Sequence, residues 1–262
     1  MCLIAFAWCA HPRWPLVLIA NRDEFHARPS AAAGFLADAP DVFGGIDLRA
    51  GGSWLLVSKR RRLAAITNVR VGLATEVALR SRGELVKSFA TSDADVAEFA
   101  ASIASVAHEY GRFNLLLWDG DALLCIRNHP QFHAEIVAPG VHALSNASLD
   151  TDWPKARRAK QALSDWLQLQ PGTEPAITRP DTDALFVALA DAAPAADIEL
   201  PDTGVGLELE RRLSSPFVVG DTYGTRCSTL VLASSTGIEM TERRFGPNQL
   251  SIGNGGFTQC ET

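Results

Sequence analysis

Two apolar runs at the start of the chain, joined by a short turn, constrain the fold more than any other feature. Residues 3–8 form a strand-like run that ends at His11-Pro12-Arg13, and residues 16–19 form a second run. We expect the two runs to pair as a buried β-hairpin. The second run continues into the polar cluster Asn21-Arg22-Asp23-Glu24, so the hairpin brings this cluster back beside Cys2.

Cys2 is the candidate nucleophile. If the initiator methionine is removed, Cys2 carries both a thiol and a free α-amine, and an amine with a pKa of about 7.7–8.0 is a base near neutral pH. Such an amine takes the proton of the thiol, directly or through one water, and activates the sulfur. We therefore expect Cys2 to be alkylated faster than Cys9 or Cys125, which are predicted to be inert core thiols. The alternative is that Cys2 is an ordinary small buried residue.

The polar cluster at residues 21–24 places an amide, a guanidinium and two carboxylates within four residues. A nucleophilic thiol needs neighbouring groups that orient its amine and bind an incoming carboxylate or carbonyl. Asn21, Arg22, Asp23 and Glu24 are candidates for these two tasks. The alternative interpretation is a solvated loop that contains a surface ion pair.

Polar residues also lie at three other predicted strand ends, at Asn68, Asn146 and Arg226. A thiolate that attacks a carbonyl generates an oxyanion, and an asparagine N–H that stabilises it contributes about 2.7–4 kcal/mol to the transition state. Arg226 is a candidate partner for a substrate carboxylate or for Asp23. The alternatives are that both asparagines form turns and that Arg226 belongs to a structural ion pair.

Length, charge and hydropathy exclude several classes of protein. The chain has 262 residues, 47% of them hydrophobic, and a net charge of −6, which argues against nucleic acid as the main partner. No apolar run approaches the roughly 20 residues that cross a bilayer, so we expect no transmembrane segment. Because no linker divides the chain, we expect one domain over residues 1–262. With nucleic acid and membrane spans not expected, the predicted partner is a small-molecule ligand or substrate.

The five cysteines are odd in number, widely dispersed and outside CxxC pairs. This usage fits neither a disulfide framework nor a zinc site, so we expect no metal and a reducing compartment, the cytoplasm. No histidine lies in a recognisable catalytic spacing, and no Walker-type or dinucleotide glycine motif is present, so we expect no resident cofactor.

The order of predicted elements is strands, helices, strands, helices, strands. Helices are predicted at residues 81–90, 93–107, 154–169 and 180–192, the second with Ser92 or Asp93 as N-cap. Residues 29–47 are predicted to be irregular, and residues 193–213 to be an acidic loop or insertion. This order indicates two antiparallel sheets with helices packed outside, an α+β layered fold.

Several motifs, in order from residue 1 to about residue 245, resemble the NRDE family, which includes the eukaryotic transport-and-Golgi-organisation proteins. They are Met1-Cys2, Ala20-Asn21-Arg22-Asp23-Glu24, Gly51-Gly52-Ser53-Trp54, Thr67-Asn68-Val69-Arg70, Ser81-Arg82-Gly83, Phe113-Asn114-Leu115-Leu116, Leu144-Ser145-Asn146, Trp153-Pro154-Lys155 and Tyr223-Gly224-Thr225-Arg226. The family is similar to the N-terminal nucleophile (Ntn) hydrolases, especially to their cysteine group, which comprises bile-salt hydrolases and penicillin acylases. The resemblance implies a four-layer αββα sandwich.

The same resemblance implies roles for the candidate residues. Cys2 corresponds to the nucleophile and Asp23 to the carboxylate that orients its amine. Asn68 and Asn146 correspond to oxyanion-hole or amine-contacting asparagines, and Arg226 lies near the position of a site arginine. One departure is that the acylases carry an arginine directly before the site asparagine, where this chain has Ala20, and its arginine follows as Arg22.

Two classes of function follow from these observations. The first is hydrolysis of a C–N (amide) or acyl bond of a small anionic substrate, with Cys2 as nucleophile. The second, which the family resemblance implies, is a carrier without turnover for haem or for acyl-coenzyme A or another lipid. Asn21, Arg22 and Arg226 could bind propionates or phosphates as readily as position an amide. No histidine or Cys-Pro pair stands out as an axial haem ligand, so haem is expected only as a carried ligand.

Overall fold

The computed structural model of the protein describes residues 2–73, 76, 78–172, 180–235 and 237–260. The described strands are β1 (Cys2–Trp8), β2 (Leu16–Phe25), β3 (Gly34–Leu36), β4 (Ala39–Gly44), β5 (Leu55–Ser58), β6 (Arg62–Asn68), β7 (Phe113–Trp118), β8 (Leu123–Arg127), β9 (His133–Ile136), β10 (Gly140–Leu144), β11 (Tyr223–Ser234), β12 (Gly237–Phe245) and β13 (Ser251–Cys260). The α-helices are α1 (Arg82–Thr91), α2 (Val96–Ala104), α3 (Pro154–Gln168), α4 (Asp183–Leu189) and α5 (Leu207–Arg212).

The strands form two antiparallel sheets. The six-stranded sheet has the order β10-β1-β2-β11-β12-β13, and the seven-stranded sheet runs from β3 to β9 in sequence order. Antiparallel neighbours need only short hairpins between them, and the longer connections carry the helices. None of the helices within the described ranges is long and apolar enough to cross a bilayer.

Alternation along the strands sorts the side chains into layers. Cys2, Ile4 and Phe6 of β1 point into the core between the two sheets, whereas Leu3 and Ala5 pack against α3 and α4. Another apolar layer joins the far face of the seven-stranded sheet to α1 and α2. Each fully buried isoleucine or phenylalanine contributes about 1.5–3 kcal/mol of transfer free energy. The layer order is helix, sheet, sheet, helix, which confirms the αββα sandwich.

The expected N-terminal hairpin is present, and its second strand is longer than predicted. Cys2 lies opposite Arg22 in the pairing of β1 with β2. On its other edge, β2 pairs with β11 along its whole length, from Phe25 opposite Tyr223 to Leu16. Because these ladders satisfy the backbone of the polar cluster, the cluster stays extended within a strand. The solvated-loop interpretation of residues 21–24 is therefore wrong.

Two segments predicted to be irregular contain regular structure. Residues 29–47 contribute β3 and β4, since Val42 and Phe43 of β4 pair with β5 and pack into the cores. Residues 193–213 include α5 and a short 3₁₀ turn at Asp197–Glu199. The edge strand β13 was also not predicted. In all these segments sheet pairing and packing outweigh a local sequence with weak strand or helix propensity.

The helix α2 begins three residues later than expected. Its N-cap is Asp95, not Ser92 or Asp93, and Asp95 forms a capping box with Glu98. The Asp95 carboxylate accepts a hydrogen bond from the Glu98 backbone N–H at 2.8 Å. The Glu98 side chain accepts one from the Asp95 backbone N–H at 3.2 Å. Both donors would otherwise lack an intrahelical partner, which explains the start of the helix.

Gly52 and Gly83 allow the start of α1 to lie directly against the segment that precedes β5. The Ser53 backbone N–H donates to the Gly83 carbonyl at 3.1 Å. A Cβ atom on Gly83 would lie 2.9 Å from both the backbone nitrogen and the carbonyl oxygen of Ser53, and a Cβ on Gly52 would lie 2.4 Å from the Gly83 carbonyl carbon. The two glycines therefore set the distance between α1 and the seven-stranded sheet.

This contact predicts a reversal of ordinary helix propensity. Alanine is normally favoured over glycine in a helix by about 1 kcal/mol. We expect Gly83→Ala to lower the free energy of unfolding by about 1–3 kcal/mol, because backbone atoms must move to admit the methyl group. Urea unfolding measures the change. Gly172→Ala, at a position with no atom within 4 Å of the added Cβ, is the control and should be nearly neutral. Stabilisation by Gly83→Ala would contradict the close approach.

Candidate active site

A cleft of about 1000 Å³ opens at the start of β1 and is lined by residues of both sheets. Six of the residues nominated from sequence line this cleft, namely Cys2, Arg22, Asp23, Glu24, Asn68 and Arg226. Its walls are also rich in other arginines, which are Arg28, Arg49, Arg70, Arg80, Arg82, Arg112, Arg212 and Arg244. The Cys2 thiol therefore lies in a cleft whose charged side chains are mostly arginines.

A cross-strand row of four side chains crosses the floor of the cleft. Cys2 lies opposite Arg22, Arg22 lies opposite Cys227, and Cys227 lies opposite Arg244. Direct neighbours in such a row have Cβ atoms about 5 Å apart. Cys2 and Cys227 both belong to the core between the sheets, so the row alternates thiol and guanidinium on one face. Arg244 and Cys227 were missed from sequence, because strand registers are not visible there.

The Cys2 thiol is buried within the floor of the cleft. The side chain is 8% exposed. Burial raises the pKa of the Cys2 thiol, although the nearby Arg22 acts in the opposite direction. A thiol with a raised pKa is less ionised at neutral pH than a free cysteine. Cys9 was expected to be buried but is exposed, while burial raises the pKa of Cys125 to about 12.

Asp23 lies on the wall of the cleft, with 2% of its surface exposed. Its Oδ1 accepts a hydrogen bond from the Thr225 hydroxyl at 2.7 Å. The Thr225 oxygen itself accepts from the backbone N–H of Val218 at 2.9 Å, which directs the hydroxyl proton to Asp23. Burial raises the pKa of the Asp23 carboxyl, and the positive charge of Lys155 opposes that rise. Asp23 is therefore a buried acid held in one orientation.

Asn68 and Asn146 are brought together, but only Asn68 lines the cleft. Asn146 is fully buried. Its Nδ2 donates to the Asn68 backbone carbonyl at 2.9 Å and to the Asn68 Oδ1 at 3.1 Å. The neighbouring Ser145 hydroxyl donates to the Cys2 carbonyl at 3.0 Å, and the Thr67 hydroxyl donates to the Ser145 carbonyl at 2.5 Å. These bonds tie the ends of β1, β6 and β10 together beside Cys2.

Lys155 is the main residue that sequence reasoning missed. It is 1% exposed, and its Nζ lies 3.5 Å from Asn146 Oδ1. Burial lowers the pKa of the Lys155 ammonium to about 8, while Asp23 acts in the opposite direction. A signal was available: Lys155, Ala159 and Leu163 recur every four residues on α3, so this lysine shares the buried face of the helix.

A buried ion pair supports the same region from the neighbouring layer. Arg70 Nη2 lies 2.8 Å from Glu210 Oε2, and both side chains are at most 5% exposed. Glu210 also accepts hydrogen bonds from the backbone N–H and the hydroxyl of Thr203. The segment at residues 193–213 therefore contributes a buried carboxylate through α5. The guanidinium of Arg70 also stacks over Trp153, 4.7 Å from the ring centroid.

Arg226 holds the chain that follows β2, and it does so through backbone groups. Its Nη1 donates to the carbonyls of Phe25, His26 and Arg28 at 3.0–3.2 Å. Arg22 lies 3.7 Å from Glu24, at the long end for an ion pair. The contacts of Arg226 in the described residues are thus with backbone carbonyls rather than with the structural ion-pair partner considered above, and Arg226 lines the cleft.

Asn21 lies away from the cleft, so the expectation that it lines the pocket is wrong. Its Nδ2 donates to the carbonyls of Leu189 and Pro216, each at 2.8 Å, and its Oδ1 accepts from the Ser228 hydroxyl at 2.6 Å. The cause is the alternation of strand residues: Arg22 points to the cleft, so its neighbour Asn21 points to the helix layer. Asn21 fastens the end of α4 to the sheet.

The αββα fold is Ntn-hydrolase-like. A solved structure described as the Caenorhabditis elegans N-acylethanolamine-hydrolyzing acid amidase (NAAA) ortholog superposes with a TM-score of 0.53, over 88% of this chain and 92% of that chain, at 8% sequence identity. This similarity is one of fold alone.

The chain belongs to the Transport and Golgi organisation 2 (TANGO2) family, whose model matches residues 1–247. It is 35% identical to the Bos taurus Transport and Golgi organization protein 2 homolog, over 93% of this chain and 92% of that protein. It is 32% identical to the Homo sapiens homolog, over 96% of this chain and 95% of that protein. The resemblance drawn from the sequence motifs is therefore confirmed.

The buried Lys155 predicts a specific pH dependence of stability. Its pKa is about 8 when folded against an ordinary value of 10.5, so the unfolded state binds more protons between these pH values. The free energy of unfolding therefore rises with pH across this window, and the gain is lost progressively as the pH falls from 10.5 to 8. We expect the stability of the wild type relative to Lys155→Met to rise by up to about 3 kcal/mol between pH 7 and 10.5.

Urea unfolding at a series of pH values measures this difference. Lys160→Met is the matched control, since Lys160 lies on the same helix with 41% of its side chain exposed. Its difference from wild type should stay nearly flat over the same pH range. A flat difference for Lys155→Met as well would show that Lys155 is not a buried ammonium.

Proposed function

We propose that this protein is an Ntn-type hydrolase in which Cys2 attacks a C–N (amide) or acyl bond of a small anionic substrate. The observation that carries the proposal is the juxtaposition of the Cys2 thiol with the Arg22 guanidinium on the floor of the cleft. The amidase of similar fold, described as hydrolysing an N-acylethanolamine, supports an amide as the bond class. A cytoplasmic location is part of the proposal and rests on the cysteine usage of the sequence.

The proposed chemistry begins with a proton transfer. After removal of Met1, the α-amine of Cys2 takes the thiol proton, which burial otherwise keeps on the sulfur. The sulfur attacks the carbonyl carbon and forms a thioester as the C–N bond of the substrate breaks. The leaving amine takes its proton from the α-ammonium of Cys2. Water then attacks the thioester, with the α-amine again as base, and releases the acid and the free thiol. Asp23 is the carboxylate that holds the α-ammonium.

The remaining nominated residues receive two tasks in this proposal. Asn68 and Asn146 serve the oxyanion that forms when sulfur adds to the carbonyl. Arg22 and Arg226 bind the anionic group of the substrate, with Glu24 setting the position of Arg22. The 3.7 Å separation of Arg22 from Glu24 is long for an ion pair, so a substrate anion would add a charge partner for the guanidinium.

A second candidate function is a carrier for haem or for acyl-coenzyme A or another lipid. Two observations support it. The cleft, at about 1000 Å³, is at the upper end of the range for small-molecule sites and combines arginines with the apolar side chains of Ile66, Leu209 and Leu213. The raised pKa of the Cys2 thiol is also compatible with a cysteine that performs no chemistry.

Two variants separate the functions. In an enzyme, Cys2→Ser should retain ligand binding and lose turnover by several orders of magnitude, because the weaker nucleophile affects only the chemical step. In a carrier, Cys2→Ser should be nearly silent. Arg22→Ala should weaken binding in both cases, by about 10-fold or more, since a hydrogen bond to a charged group contributes about 1.5–3 kcal/mol.

The measurements are amine release from a panel of acyl amides and binding of haem and of a long-chain acyl-coenzyme A. Cys9→Ser and Arg60→Ala are matched controls, because both residues are exposed outside the cleft. Intact-mass measurement establishes whether Met1 is removed, as the catalytic proposal requires. Amide cleavage that disappears in Cys2→Ser supports the hydrolase. Tight binding that survives Cys2→Ser and fails in Arg22→Ala, with no amide cleaved by wild type, rejects the hydrolase and supports the carrier.

A further inference from the structure

Lys155 is a buried charged residue to which the chemistry above gives no task. The charged and titratable groups that act on it come from four elements: Asp23 of β2, Arg70 after β6, Cys2 of β1 and Glu210 of α5. Burying an ammonium costs several kcal/mol unless other groups compensate. Apolar residues would fill this position of α3 more cheaply, as Ala159 and Leu163 do one and two turns later. The lysine therefore invites a role other than packing.

The contact between Lys155 and Asn146 fixes the orientation of a buried amide. A lysine ammonium only donates hydrogen bonds, so the atom that faces its Nζ at 3.5 Å must be the amide oxygen of Asn146. On the other side, the backbone carbonyl of Asn68 only accepts, so the Asn146 nitrogen must face it at 2.9 Å. Two groups of opposite kind thus specify the same orientation independently.

The orientation of Asn146 in turn specifies that of Asn68. The Asn146 nitrogen also donates to the side-chain oxygen of Asn68 at 3.1 Å, which turns the Asn68 oxygen toward the protein interior. The Asn68 amide nitrogen is then the end left for the cleft, and within the described residues it has no hydrogen-bond partner. β6, which ends in Asn68, contacts β1, which begins with Cys2, across the two sheets.

We propose that Lys155 is a positioning residue that, through Asn146, holds the side-chain N–H of Asn68 toward the carbonyl attacked by Cys2. Asn68 then supplies the oxyanion donor, and Asn146 and Lys155 act only through it. This inference rests on the hydrolase proposed above and divides the labour between its two asparagines. In the absence of the ammonium, the Asn146 oxygen loses its charged donor and keeps only the Ser145 hydroxyl at 3.3 Å, whose single proton is shared with the Cys2 carbonyl. Asn146 then holds the Asn68 side chain less firmly.

Two reagents separate this role from effects on the thiol itself. p-Nitrophenyl acetate acylates a thiol by addition to the carbonyl: the S–C bond forms, an oxyanion develops, and p-nitrophenolate leaves with the electrons of the broken C–O bond. Iodoacetamide alkylates the same thiol by direct displacement of iodide, without an oxyanion. Peptide mass spectrometry gives both rates at Cys2. Their ratio reports oxyanion stabilisation, because thiol ionisation, access and folding affect both rates alike.

We expect the ratio of acylation to alkylation at Cys2 to fall about 100- to 1000-fold in Asn68→Ala, the range for loss of one oxyanion donor, and by about 10-fold or more in Lys155→Met, where the donor is retained but less well oriented. The double variant should lose no more than Asn68→Ala alone, because both residues act through one donor. Lys160→Met, on the exposed side of α3, is the matched control and should leave the ratio unchanged.

Asn146→Asp provides an independent test if Lys155→Met does not fold. It keeps an oxygen for Lys155 but removes the N–H that donates to Asn68, so we expect the same selective fall in the ratio. An unchanged ratio in the folded variants, or additive losses in the double variant, would overturn the positioning role while leaving the hydrolase standing. Failure of wild-type Cys2 to be acylated, with alkylation intact, would overturn both.

Discussion

The pairing of β2 with β1 on one side and β11 on the other is the constraint on which the rest of the site depends. It keeps a cluster of four polar residues extended, so that successive side chains leave the strand in opposite directions. Arg22 joins Cys2 on the floor of the cleft, while Asn21 secures the helix layer. A shift of one residue in this register would exchange those two roles, because side chains alternate with a period of two.

A buried polar layer lies behind the thiol, and its energetics explain why the region is so highly connected. Asp23, Lys155, Arg70 and Glu210 are each at most 8% exposed. Isolated charges at such burial would be destabilising, and the layer persists because each charge faces a partner or an oriented dipole. The pKa of Asp23 is raised and that of Lys155 is lowered by the same burial. The burial of these charges lowers the stability of the fold, and their ion pairs and hydrogen bonds fix the orientation of the side chains near the thiol.

Much of the fold was predictable because it follows from local patterns. The apolar runs at residues 3–8 and 16–19, the helical spacing at residues 154–169 and the order of the elements indicated layered sheets with outer helices. The failures occurred where local propensity is weak: β3, β4 and β13 exist because neighbouring strands pair with them. The depth at which Cys2 lies was not predictable for a related reason, since a sequence shows a thiol but not how deeply it is buried.

The sequence by itself determined the identity of the chemical groups and the strands that carry them. Cys2, Asp23, Asn68 and Arg226 could be nominated because polar residues at the ends of apolar strands are informative on their own. Only the tertiary structure decided which of these groups share a cleft, and it added Lys155, whose partners are contributed by distant strands. The physical reason is that chemistry belongs to single residues, whereas burial, register and donor direction arise only when separate parts of the chain pack together.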